Sequence, residues 1–150
     1  MFTGGLRAAA YASRLAAPPM IAARRGLIVN VTWALDRPHG HAFYEVVKNA
    51  SNKMTGQFAD DLRPHGVACL AVSPGFMRLE RMNLPPEVAA LTESAEFPGR
   101  AVAALAADDV LAKSGLVFTT PALAREYAFT DVDGSQVSAF WERHWAGKFP

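Results

Sequence analysis

Only one cysteine, Cys69, occurs in the 150 residues, so no internal disulfide can form. Disulfides mark oxidising compartments, and their exclusion fits a reducing, cytoplasmic setting. Cys69 lies in the apolar run VACLAV, where a thiol behaves as a small buried hydrophobe. No apolar run reaches the length of a membrane span, because Arg7, Arg14, Arg24 and Arg25 interrupt the longest candidate. An excess of one charge is also missing. The net charge of +1 leaves no broad field to attract nucleic acid or an anionic membrane, and neither is an expected partner. His39, His41 and His65 have no cysteine or carboxylate at ligand spacing, so no metal site is expected. Acidic residues are absent before Asp36, and an Arg- and Ala-rich start of that kind also suits an organelle transit peptide.

The remainder is 51% hydrophobic and 19% charged, the balance of one folded domain over residues 1–150. Residues 5–23 are Ala-rich and suit a helix that Pro18-Pro19 must kink or shorten. LIVNVT (27–32) is short, apolar and β-branched, as buried strands are. After the loop WALDRPHGHA, the helical period governs residues 43–62, with Phe43, Val47, Ala50, Met54 and Phe58 predicted as the packed stripe. Gly66 is placed for a left-handed cap. VACLAV (67–72) and GLVFTT (115–120) follow as strands, with helices over 86–93 and 97–107 between them. The tail reads as irregular, with Trp141 and Trp145 as anchors to a neighbouring subunit. Strands alternating with helices predict an α/β fold on a parallel sheet with right-handed crossovers. In such sheets chemistry gathers at the carboxyl ends of the strands. Thr32 ends the first strand and Pro74-Gly75 follow the second, so both fall on that edge.

Tyr44 and Lys48 stand four apart on the predicted helix and therefore share a face. A phenol with a reference pKa near 10 is a weak acid or base at neutral pH, and a neighbouring ammonium is expected to lower it. A hydroxyl such as that of Thr32 would then hold a carbonyl beside the phenol. The same spacing also occurs on ordinary solvated helix faces.

GLIVNVT, YEVVK and DLRPHGVACLAVSPG, in that order, resemble the short-chain dehydrogenase/reductase family, and the resemblance runs through nearly the whole chain. It implies a Rossmann-like, doubly wound parallel sheet of which only the later strands are present. It implies an oxidoreductase that transfers hydride between NAD or NADP and a small carbonyl or alcohol substrate. Tyr44 would be the acid/base, Lys48 would bind the ribose and lower the tyrosine pKa, and Thr32 would polarise the carbonyl. Pro74, Gly75 and Phe76 would lie against the nicotinamide. The resemblance also gives the first helix a place in the fold, which weighs against the transit-peptide reading.

Several positions depart from the family pattern. Thr32 stands where serine is usual and Trp33 where many members have a second serine, while Leu79 replaces a threonine that contacts the cofactor. Phosphate binding needs glycines at a strand-to-helix turn. Thr3-Gly4-Gly5 follow no strand and are better read as the lead-in to a helix. The chain thus resembles the carboxyl-terminal half of such an enzyme, one that alone builds only half of a site. A truncated relic or dimerising module without cofactor binding is the alternative. The unpaired strand edge predicts a homo-oligomer.

Overall fold

The computed structural model describes residues 2–34 and 40–137. The middle of the loop predicted at 33–42 and the tail tryptophans Trp141 and Trp145 lie outside the described residues. The chain divides into two compact units, residues 2–73 with 105–118 and residues 74–104 with 119–137.

The first unit opens with a π-helical turn, Phe2–Arg7, that leads into α1, Ala8–Ala22. Pro18 and Pro19 sit inside α1 rather than ending it. They withdraw two backbone donors near its last turn, yet the chain keeps its helical bonds onward, with Ala23 N–H donating to Pro19 O at 3.0 Å. Strand β1, Gly26–Val31, follows. Helix α2, Ala42–Leu62, crosses to β2, Val67–Ser73, and β3 is Val117–Thr119. The sheet order is β1-β2-β3, with β1 and β2 parallel from Gly26↔Val67 to Val31↔Val72. This is the expected Rossmann-like α/β layout. Central β2 is buried along its whole length, which explains why its sequence runs apolar without alternation. β1 is an edge strand of the described sheet.

Gly66 adopts φ +73° at the end of the short 3-10 turn Arg63–His65 that continues α2. A Cβ there would also fall 2.4 Å from the Arg24 carbonyl oxygen, so conformation and space both require glycine. The core joins Ile28, Val67 and Cys69 of the strands to Ala59 and Leu62 of α2, with Ala17, Met20 and Ile21 of α1 packed against it. Burial pushes the Cys69 thiol up to about 11, so it stays protonated and unreactive.

The face that α2 buries differs from the predicted stripe. Val47, Ser51, Thr55, Ala59 and Leu62 face inward, while Phe43 is 76% exposed. Ser51 and Thr55 return their hydroxyl protons to Val47 O and Ser51 O, and Thr55 Oγ1 accepts from Asn30 Nδ2 at 3.0 Å. Small side chains that satisfy their own polarity suit a buried face against the sheet, and a search for large apolar residues passes over them.

The second unit holds α3 (Pro86–Ala89), most of α4 (Phe97–Ala106) and α5 (Thr120–Glu126). Helix α5, where sequence patterning expects irregular chain, begins at Thr119, whose side chain accepts from Ala122 N–H, and carries a proline in its first turn. Asp131 is 1% exposed and gathers Ser94 N–H at 2.8 Å, the Ser94 hydroxyl and the Arg78 guanidinium at 3.4 Å. Arg78 also reaches Asp133 at 3.2 Å.

Candidate active site

The parallel register of β1 and β2 carries Thr32 and Ser73 to the same sheet edge. Thr32 N–H donates to Val72 O at 2.8 Å, and Ala34 N–H donates to Ser73 Oγ at 2.9 Å. Helix α2 starts beyond that edge and returns along the sheet, so residues 44, 48 and 52 lie on successive turns of one face.

Tyr44 and Lys48 are brought together as the spacing predicts. Lys48 Nζ stands 5.6 Å from the centroid of the Tyr44 ring, within cation–π range, and donates to Val31 O at 3.2 Å. Both side chains are half-buried. Burial holds the phenol above the ordinary tyrosine value and the ammonium below the ordinary lysine value. The sequence argument expects the ammonium to draw the phenol down. Here desolvation by burial governs both groups instead.

Thr32 is 2% exposed, and its hydroxyl points to α2, with Lys48 O at 3.2 Å and Asn52 Oδ1 closer still. One hydroxyl proton serves one acceptor at a time, so the Thr32 proton is engaged inside the fold. Trp33, 8% exposed, pairs edge-to-face with Tyr44, with ring centroids 6.0 Å apart and planes at 74°. Asn52 Nδ2 donates to Trp33 O at 3.1 Å. Asn52 therefore bonds both residues that follow β1. It continues the Tyr44–Lys48 spacing by four, and that was the signal available in the sequence.

Pro74, Gly75 and Phe76 open the second unit directly after β2. Phe76 O accepts from Glu93 N–H at 3.0 Å, and Arg78 N–H donates to Glu93 O at 2.8 Å. Glu93 is fully buried, and its Oε2 accepts from the Thr120 hydroxyl at 2.7 Å. Nothing in the sequence marked this carboxyl for burial. A cavity of about 760 Å³ in the same unit is lined by Arg78, Leu79, Arg81, Met82 and Val132 among others. Among the described residues, no helix is long and apolar enough to cross a membrane.

Residues 1–85 match the short chain dehydrogenase family. The human protein named dehydrogenase/reductase SDR family member 1 is 32% identical over 91% of this chain and 49% of its own length. Its mouse counterpart is 32% identical over 95% of this chain and 51% of its own length. Among solved structures, acetoin dehydrogenase from Enterobacter cloacae superposes with a TM-score of 0.68 at 23% identity, covering 79% of this chain and 51% of that one. A 4-hydroxyisoleucine dehydrogenase complexed with NADH and succinate gives 0.63 at 22% identity, covering 76% and 52%. These structures share the fold. The chain spans about half the length of the relatives it matches.

Proposed function

Since the chain belongs to the short-chain dehydrogenase family, we propose that it forms the acid–base part of an NAD(P)-dependent oxidoreductase acting on a small carbonyl or alcohol. The observation that carries this reading is the pairing of Tyr44 with Lys48 on the first turns of α2, at the carboxyl edge of a parallel sheet. A bound nicotinamide cofactor would supply the hydride in its reduced form and accept it in its oxidised form. The NADH in the 4-hydroxyisoleucine dehydrogenase structure supports that class of cofactor.

Tyr44 donates a proton to the carbonyl oxygen during reduction and removes it during oxidation. A phenol held above its ordinary pKa by burial remains protonated at neutral pH, which suits the reductive direction. Lys48 holds the cofactor ribose and sets the charge beside the phenol. The residues Pro74, Gly75 and Phe76 form the surface for the nicotinamide. Thr32 is assigned a positioning role, since its proton is engaged by α2. The open edge of β1 supports a homo-oligomer, and the reducing character of the sequence supports a cytoplasmic setting.

A second reading is a non-catalytic pairing module. The engagement of Thr32 and the bulk of Trp33 beside Tyr44 favour it. Titration with NADH and NADPH, followed by turnover on a panel of aldehydes and ketones, separates the two. Saturable binding with carbonyl-dependent oxidation of the cofactor supports the enzyme. Absence of both supports the module.

A further inference from the structure

Within the second unit, Glu93 ties the segment from Pro74 to Arg78 through both its backbone and its side chain. Glu93 donates its backbone N–H to Phe76 O and receives Arg78 N–H on its carbonyl, and Met77 and Glu93 form a parallel bridge. Its side chain packs against the same segment, and its carboxyl receives the Thr120 hydroxyl at 2.7 Å. Gly75 comes so close that a Cβ on it would stand 3.0 Å from Oε2 and 3.5 Å from Cδ. The other oxygen, Oε1, is buried without a hydrogen-bond partner among the described residues.

A carboxyl buried in this way is expensive unless its oxygens are hydrogen-bonded or it is held neutral. We propose that Glu93 is a positioning residue whose carboxyl, held by Thr120 and packed against Gly75, sets the conformation of the Pro74–Gly75–Phe76 turn. The role rests on the reading of that turn as the nicotinamide surface. Glu93 does not itself touch the cofactor. It fixes the plane of the Gly75 peptide and, through Phe76 O, the direction in which the chain leaves the turn.

The clamp depends on protonation. Burial raises the Glu93 carboxyl to about 7, the repulsion of Asp131 acts in the same direction, and Thr120 and the Gly75 amide oppose them. Arg78 is the cation that faces Asp131. Below pH 7 the neutral acid accepts the Thr120 hydroxyl and packs against Gly75 with no buried charge. Above it, an anion with a partnerless oxygen strains the same packing.

The test uses the full chain, labelled with 15N, and follows the Gly75 amide while pH is raised from 5.5 to 8.5 (roughly the span around a carboxyl titrating near neutrality). The amide should move with a midpoint near 7. Glu93→Gln should abolish that movement, because it keeps the shape and the acceptor but cannot ionise. With NADH or NADPH as probe, wild-type affinity should fall several-fold across the midpoint. Glu93→Gln should hold a constant affinity, and Glu93→Leu should bind more weakly at every pH. A Gly75 amide indifferent to both pH and substitution overturns the clamp. Unchanged affinity in a folded Glu93→Leu variant overturns its link to the cofactor. If the wild type binds neither cofactor, the non-catalytic reading of this chain is favoured and the link of Glu93 to the cofactor falls, while the Gly75 amide still decides the clamp.

Discussion

The indole of Trp33 meets the phenol ring of Tyr44 edge-on, with 6.0 Å between centroids and 74° between planes. Edge-to-face aromatic pairs contribute about 0.5–1.5 kcal/mol beyond the area they bury. A double-mutant cycle with Trp33→Leu and Tyr44→Leu, read by urea unfolding, should therefore return a coupling of about 1 kcal/mol. A coupling near zero would reduce the pair to simple proximity.

Thr32 offers a sharper distinction. Its hydroxyl proton is directed to Lys48 O or Asn52 Oδ1. Thr32→Val should cost stability of about 1 kcal/mol, the net value of a typical hydrogen bond, and lower turnover less than about ten-fold. A donor aimed at the reacting carbonyl would instead cost about 100- to 1000-fold in turnover when removed. A loss of that size would return Thr32 to the catalytic role that its position suggested.

Glu93 also shapes the dependence of stability on pH. Its folded-state value is raised from 4.5 to about 7, so the folded chain binds this proton more tightly than the unfolded chain. The resulting stability is present in full below the unfolded value and is lost as pH rises through the folded one. Unfolding midpoints of the wild type should fall between pH 5 and 8 relative to those of Glu93→Gln. Parallel curves for the two proteins would contradict a buried, proton-binding carboxyl.

Gly66 combines φ +73° with a Cβ position 2.4 Å from the Arg24 carbonyl oxygen, whereas Gly134, at φ +80°, has open space around it. Left-handed backbone costs a residue with a Cβ about 1–2 kcal/mol. Gly134→Ala should lose about that amount, and Gly66→Ala clearly more, because the Arg24 backbone must move as well. Thermal melts of the two variants side by side provide the comparison.

Much of the scaffold was legible because its signals are local. The β-branched run at 27–32, the apolar run at 67–72 and the left-handed glycine at 66 each appear where sequence chemistry puts them. The face of α2 was not, since Ser51 and Thr55 reach the interior by bonding to their own helix, leaving Phe43 outside. Tyr44 and Lys48 were found by spacing. Their electrostatics were not, because desolvation depends on what surrounds them. Asn52 and Glu93 escaped for a related reason. A polar residue gains its role from partners distant in sequence, Thr32 at one site and Thr120 at the other.

The central claim, that Tyr44 serves hydride chemistry, is tested most directly by isotope transfer. The protein as isolated from its source is incubated with NADH or NADPH deuterated at the transferring position and a mixed panel of aldehydes and ketones. Products are then read by mass spectrometry. The account predicts a singly deuterated alcohol with the wild type and a yield lowered about 100-fold or more with Tyr44→Phe. No deuterated product from the wild type, or equal yields from both proteins, would contradict it.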